Sequence, residues 1–265
     1  MNVANSETVL ITGASSGIGL ELARCFAADG CRLVLLARNT EALETLAKEL
    51  RRAHKIEALV LTGDLSLPES PARIVKELQG RGVRVDVLVN NAGFGANGAF
   101  AELPLQRQLE MIQVNITALT NLTGLFLPGM IERRHGGVLN VGSLAGFLPG
   151  PGMAVYYASK AFVLSFSEAL AEELAGTGVT VTALCPGPTA TNFGNVSHGQ
   201  KMRRLNTPKM PAAAVARHGH RAFRKGRWLA IPGRQYQVLL LLVRILPRWC
   251  VCKLAGLFNR TKDPV

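Results

Sequence analysis

Short apolar runs and helical-period segments alternate along most of this chain. Thr8 to Thr12 is a β-rich run that breaks into Gly13-Ala14-Ser15-Ser16-Gly17-Ile18-Gly19. Leu20, Leu22, Ala23, Phe26 and Ala27 then recur at helical spacing until Gly30 stops the helix. Arg32 to Ala37 is apolar after its first residue, which predicts a strand buried on both faces. A helix follows with Leu43, Leu46, Ala47 and Leu50 on one side. Ile56 to Leu61 predicts a third strand ending in Gly63-Asp64, Pro68 to Leu78 a helix, and Val85 to Val89 a fourth strand. Pro104 suits a first helical position and opens a long helix to about Arg134. Val138 to Val141 reads as a fifth strand, Met153 to Ala175 as another long helix, and Val179 to Leu184 as a sixth strand.

Buried strands joined by helices imply a parallel sheet covered on both faces, with right-handed crossovers. No repeat, low-complexity stretch or linker interrupts the pattern, so residues 1–265 read as one domain. After Pro186 the periodicity loosens. Residues 189–225 look irregular and basic, an insertion over the carboxyl edge of the sheet that would serve as a substrate lid. Trp228 to Ile231 is the candidate seventh strand, and Gln235 to Leu246 an apolar helix inside a basic tail over 234–258.

Composition narrows the classes. A chain of 265 residues that is 48% hydrophobic and 18% charged is neither a disordered tail nor a small disulfide-stapled domain. Its five cysteines are scattered and lack zinc spacing, which suits free thiols, no metal and a reducing, cytoplasmic setting. No apolar run reaches the roughly 18 residues of a membrane span, and the N-terminus lacks the features of a secretory signal. The net charge of +12 is local: residues 201–265 carry fifteen Lys and Arg against one acid, Asp263, or +14, and residues 1–200 sum to −2.

Gly13-x-x-x-Gly17-x-Gly19 lies between a predicted strand and a helix. That is where glycines permit a sharp turn, close approach of a pyrophosphate, and tight helix packing over a helix N-terminus that favours phosphate. Plain turn chemistry is the alternative. No carboxylate stands at the tip of the second strand to hold a ribose 2′-hydroxyl. Arg38 stands there instead, either as a solvated charge or as a bidentate partner for a 2′-phosphate. Asp64 is placed to accept from an adenine amino group or simply to form a turn. Tyr156 and Lys160, four apart, share one helix face. An ammonium beside a phenol would lower the phenol pKa and make an acid/base, with Ser143 in reach after the fifth strand. On spacing alone the pair could be a surface coincidence.

Taken together, Thr12-Gly13-x-x-x-Gly17-x-Gly19, Asn90-Asn91-Ala92-Gly93, Asn115, Ser143, Tyr156-x-x-x-Lys160 and Pro186-Gly187 resemble the short-chain dehydrogenase/reductase family, closely over about residues 7 to 190. The resemblance implies a doubly wound Rossmann domain with an approximately seven-stranded parallel sheet. It also implies hydride transfer between a nicotinamide and a carbonyl or alcohol carbon. By that resemblance Tyr156 is the acid/base, Ser143 holds the substrate oxygen, and Lys160 tunes Tyr156 and binds the nicotinamide ribose. Asn115 kinks its helix and anchors a relay water. Gly13, Ser15, Ser16, Gly17, Ile18, Gly19, Arg38, Asp64, Leu65, Asn91, Ala92, Gly93, Pro186, Gly187 and Thr189 join Tyr156 and Lys160 in binding NADP, while Asn90 steadies the sheet centre. Only Tyr156 has the right spacing to Lys160; Tyr157 points about 100° away.

The loop Leu144 to Met153, with Phe94, Phe193 and Met202, would make a mostly apolar, uncharged substrate wall, which suits a small neutral or lipophilic carbonyl or alcohol. A homodimer or homotetramer is expected, with Ala118, Leu122, Leu125, Phe162, Phe166, Ala169 and Leu170 offering apolar surface. The tail would dock on the protein or a partner subunit, or lie on anionic lipid as a peripheral membrane contact. Nucleic acid is not expected, since no such motif accompanies the basic charge. A catalytically silent dinucleotide sensor or a docked scaffold is the competing function.

Overall fold

The structure is a computed structural model and describes residues 7–191 and 209–259. Seven parallel strands form one sheet: β1 (Thr8–Thr12), β2 (Arg32–Ala37), β3 (Ala58–Thr62), β4 (Val87–Asn90), β5 (Gly136–Val141), β6 (Val179–Leu184) and β9 (Leu229–Ala230), in the order β3-β2-β1-β4-β5-β6-β9. A two-stranded parallel ribbon, β7 (Thr189–Ala190) with β8 (Met210–Pro211), lies outside the sheet. The order reverses between β1 and β4. Helices on the two sides of that point diverge and open a crevice at the carboxyl ends of the strands.

The strand period of two sorts the core into two layers. Val9, Ile11, Leu33, Leu35, Val87 and Val89 face one layer, covered by α1 (Gly17–Ala28), α2 (Thr40–His54) and α7 (Ala212–Arg224). Leu10, Val34, Leu36, Leu88 and Val138 face the other, covered by α3 (Ser70–Gly80), α4 (Leu105–Ile112), α5 (Leu119–Glu132) and α6 (Ala154–Glu173). α1 buries Leu22, Ala23, Phe26 and Ala27 and stops at Gly30, whose φ of 80° is open to glycine. α2 begins where the Asn39 side chain accepts from the Ala42 N–H and ends on Lys55 in the left-handed region.

Three sequence readings change. The single long helix after Pro104 is interrupted by a π-helical turn, Gln113–Ala118, that contains Asn115. Within Leu105–Glu132 an 18-residue stretch reaches a mean hydropathy of 1.3, enough by length and composition to cross a membrane. Here the run is a sheet-covering element, with Met111, Asn115, Ala118, Leu122 and Met130 buried. Residues 189–225 are not irregular throughout: 212–224 form α7, which buries Val215, Ala216, Gly219, Ala222 and Phe223 against α1 and the sheet. The helical period is clear, with Val215, Ala216, Gly219, Ala222 and Phe223 inward and Arg217, Arg221 and Arg224 outward, and the basic outer face is what makes the stretch read as merely charged. The expected lid over 189–225 is therefore not one irregular stretch, and its residues 192–208 lie outside the described residues.

Candidate active site

A cleft of about 800 Å³ opens where the strand order reverses. Its walls include the glycine turn after β1, the tips of β2 and β3, the segment after β4, and Ser143, Tyr156, Lys160 and the Pro186–Thr189 segment.

The glycine turn is built by backbone demands. Gly13 and Gly17 sit at φ 65° and 58°. A Cβ on Gly19 would collide with the Asn91 amide and the Gly13 carbonyl. Thr12 and Asn91 lock this turn to β4. The Thr12 hydroxyl donates to Val89 O and accepts from the Asn91 and Ala92 N–H groups, while Asn91 Nδ2 donates to Thr12 O and Gly13 O. α1 begins at Gly17 with no acid in its first turn, so its N–H groups face the cleft as an anion site. At the tip of β2, Arg38 is 66% exposed with Nη1 4.0 Å from Asp64 Oδ2, and Asp64 Oδ1 accepts from the Ser66 N–H. The cation is poorly committed to protein partners; the carboxylate is partly used in its own turn.

Below the cleft, the sequence-adjacent asparagines separate. Asn90 does not line it. Asn90 Nδ2 donates to Thr123 Oγ1 and Asn140 Oδ1, and Asn140 Nδ2 donates to Ser167 Oγ, a buried polar chain tying β4 and β5 to α5 and α6. Asn115, 1% exposed in the π turn, accepts from the Phe94 N–H and donates to Phe94 O and Ser159 Oγ. Ser159 Oγ in turn donates to Tyr156 O. Asn115 thus fixes the segment after β4 against the helix that carries Tyr156. Both N–H donors of its amide are spent on protein, so a water at that amide could only donate to its oxygen.

Ser143, Tyr156 and Lys160 converge at the end of β5. Ser143 Oγ accepts from the Ala145 N–H, which caps a short 3-10 turn, Leu144–Phe147, and is hydrogen-bonded with the Tyr156 hydroxyl. Lys160 Nζ donates to Val141 O at 2.8 Å and stands 5.9 Å from the Tyr156 ring centroid. The expected lowering of the phenol pKa is not what this arrangement gives. Burial pushes Tyr156 up to about 12, against the opposing effect of the Ser143 bond, and burial pushes Lys160 down to about 8. Desolvation outweighs charge pairing because neither group meets a full opposite charge. At neutral pH the pair is a protonated phenol beside an ammonium, an acid ready to donate.

The remaining wall is less apolar than the sequence suggested. Phe94, Leu144, Ala145, Leu148 and Met153 contribute, and so do Arg107, Glu110 and Asn259. Arg107 lies 3.8 Å above the Phe94 ring and pairs with Glu110 at 3.1 Å, so α4 turns one charged i,i+3 face into the cleft. Phe193 and Met202 lie outside the described residues.

The family model described as short chain dehydrogenase matches residues 7–201. The chain belongs to the short-chain dehydrogenase family. It is 42% identical over 196 residues to a sulfoacetaldehyde reductase of Chromohalobacter salexigens, covering 73% of this chain and 77% of that one. A short-chain dehydrogenase from Sphingobium yanoikuyae, solved in complex with NADPH, superimposes with a TM-score of 0.81 at 33% identity, over 90% of this chain and 93% of that one. A bulky-bulky ketone specific alcohol dehydrogenase from Comamonas testosteroni gives 0.78 at 32%, over 91% and 93%.

As a short-chain dehydrogenase the chain is an oxidoreductase dependent on a nicotinamide dinucleotide, and the cleft fits one. The glycine positions leave room that side chains would fill: a Cβ on Gly93 would come within 3.0 Å of Asn115 Oδ1 and 3.5 Å of Lys160 Nζ. Gly13, Ser15, Ser16, Gly17, Ile18, Arg38, Asp64, Leu65, Asn91, Ala92, Gly93, Tyr156, Lys160, Pro186, Gly187 and Thr189 all line the same cleft. Gly19 and Asn115 stand behind its wall and shape it. The sequence reading gave no role to Asn39, Asn140, Ser159 or Asn259. A polar residue inside the buried run of β5 was the available signal for Asn140; nothing marked Asn259. Its Oδ1 accepts from the Tyr157 hydroxyl and its Nδ2 donates to Pro151 O, more than a hundred positions earlier in the chain.

Proposed function

We propose that this protein is an NADPH-dependent reductase of a small, neutral or lipophilic carbonyl compound, able to run in reverse on the alcohol. The supporting observation is one cleft that holds both a lightly engaged arginine at the β2 tip and the half-buried Ser143 and Tyr156 beside the buried Lys160. Bound NADPH supplies the hydride. Tyr156 gives its phenolic proton to the substrate oxygen, or takes the proton of an alcohol in the oxidative direction. Ser143 hydrogen-bonds the same oxygen as charge builds on it. Lys160 favours the phenolate left behind and would help hold the ribose hydroxyls of the cofactor. Asn115 is a positioning residue that sets the Phe94 segment and α6 at a fixed separation. Arg38 takes the 2′-phosphate through its guanidinium fork. Similarity to a sulfoacetaldehyde reductase and to a bulky-bulky ketone specific alcohol dehydrogenase favours a carbonyl substrate over other hydride acceptors.

The enzyme works in the cytoplasm as a homodimer or homotetramer, and its C-terminal helices are the candidate for any peripheral contact with a membrane. The decisive experiment follows NADPH absorbance with the purified enzyme and a panel of aliphatic, aromatic and bulky ketones and aldehydes. Turnover that vanishes in Tyr156→Phe supports the reading. Tight NADPH binding without turnover on any member would favour a dinucleotide sensor instead.

A further inference from the structure

Two C-terminal helices, α8 (Arg234–Ile245) and α9 (Arg248–Asn259), each bury one narrow face and leave an apolar one uncovered. On α8, Tyr236 and Leu240 are buried in a cluster with Leu144, while Val238, Leu241, Leu242 and Ile245 are exposed, Ile245 by 81%. At 3.6 residues per turn those four lie on the side opposite Tyr236 and Leu240. α9 repeats the arrangement. Val251 and Ala255 are buried, Trp249 and Leu257 stand exposed on the other side, and Leu254 is exposed at the flank. A helix on a water-facing surface shows the reverse, with polar residues outward. The expectation that this tail docks on the protein's own core holds for the two narrow faces only.

The charges around the uncovered face select its occupant. No Asp or Glu occurs from Lys209 to Asn259. Arg234, Arg244, Arg248 and Lys253 belong to the two helices, and among the described residues none of them pairs with an acid. Lys253 Nζ lies over the Trp249 ring, 5.4 Å from its centroid. A second copy meeting this face across a two-fold axis would bring the same cations together. An anionic bilayer satisfies both components at once, with acyl chains for the leucines and phosphates for the cations.

We infer that α8 and α9 form a docking surface for an anionic lipid bilayer and lie in the plane of its interface without spanning it. The same helices border the cleft: Tyr236 packs where a Cβ on Gly187 would come within 2.6 Å of its ring, and Asn259 lines the cleft. A lipophilic carbonyl compound held in the leaflet would then reach the site beside the docked face. That last step rests on the reductase reading; lipid docking does not.

The test uses the full chain and needs no turnover. Flotation is measured with vesicles of phosphatidylcholine alone and of phosphatidylcholine with phosphatidylglycerol, at low and high salt. Binding to the anionic vesicles is expected to be about tenfold stronger or more, and to weaken as salt rises. Leu241→Glu with Ile245→Glu, both at exposed positions, should cut it about tenfold at an unchanged melting temperature. Arg244→Glu with Arg248→Glu should erase the anionic preference, and decides the matter if the first pair folds poorly. Wild-type protein that ignores both vesicle types, or binding that neither pair alters, would overturn the inference. So would a loss of subunit mass by light scattering in Leu241→Glu with Ile245→Glu while the wild type stays off vesicles; a second copy would then be the occupant.

Discussion

Tyr156 and Tyr157 are neighbours in sequence with different surroundings, and the difference is chemical. Tyr156 meets Ser143 and lies above Lys160; Tyr157 is half-buried and spends its hydroxyl on Asn259 at 3.2 Å. Tyr156→Phe is expected to lower kcat by at least about a hundredfold with NADPH affinity unchanged, measured by single-turnover absorbance and by fluorescence titration. Tyr157→Phe loses one neutral hydrogen bond, worth about 1 kcal/mol in melting experiments, and keeps most turnover. The acid/base pair also fixes the pH dependence. Tyr156 holds its proton to about 12, while Lys160 loses its charge at about 8, so the reductive rate should fall as pH rises through 8. The Lys160 pKa is below its unfolded value near 10.4. Between the two values the unfolded chain binds the extra proton, so this group's contribution to stability rises with pH across that window. At the far end of the cleft, Arg38→Asp should reverse the preference between NADPH and NADH. A charge-assisted pair of about 1.5–3 kcal/mol corresponds to tenfold or more in kcat/KM. Equal use of both cofactors by the wild type would sink that assignment. These residues were legible because their types and spacings state a chemistry; the direction of the Tyr156 shift was not, since burial decides it and spacing does not report burial.

Elements differ in how much of themselves they announce. The strands of the sheet were readable because each is buried on both faces and therefore continuously apolar. α7 carries an equally clear helical period, Val215, Ala216, Gly219, Ala222 and Phe223 against Arg217, Arg221 and Arg224, but its basic outer face hides that period in the composition of the stretch. The π turn at Asn115 leaves no mark in the hydrophobic pattern, which simply continues through Val114 and Ala118. Least legible was the latch that ends α9. Asn259 is 7% exposed, bonds Pro151 O and Tyr157, and sits against Gly152, whose φ of 79° allows the close approach. Asn259→Ala removes both bonds and leaves the Pro151 carbonyl and the Tyr157 hydroxyl short of a partner, at a cost of about 1–3 kcal/mol. Because the loop it holds leads into α6 and the substrate wall, the expected kinetic signature is a KM raised several-fold with a smaller change in kcat. Faster hydrogen exchange in 148–153 would accompany it. An unchanged exchange rate there would show that the loop holds itself.

At the scale of the whole molecule, the unused apolar surface concentrates in two places, and the one flanking the catalytic helices is where the proposed second subunit would pack. Ala118 and Leu122 are fully buried in their own protomer and cannot contribute, contrary to the sequence expectation. Leu125 on α5 and Phe162 on α6 are exposed as expected, and Leu105, Leu109 and Ile112 on α4 are exposed beside them. Leu105, Leu109 and Ile112 recur at i, i+4 and i+7, a stripe that the sheet does not use, and Phe162 stacks on Phe166 at 5.6 Å. A patch of this kind left in water would promote association. A symmetric contact that buries it and leaves the opposite carboxyl-edge cleft open is the economical arrangement. Leu109→Glu combined with Phe162→Glu should therefore convert the proposed oligomer to monomer in analytical ultracentrifugation, since two carboxylates would be repeated on both sides of a self-complementary contact. The substituted positions are on the outside of α4 and α6, so the far-ultraviolet circular dichroism should not change. Turnover should fall only as far as the oligomer holds α4 and α6 in register, because Arg107, Glu110 and Tyr156 project from the inner faces of those same helices. A wild-type protein that sediments as a monomer, or a double variant whose mass is unaltered, would place the subunit contact elsewhere.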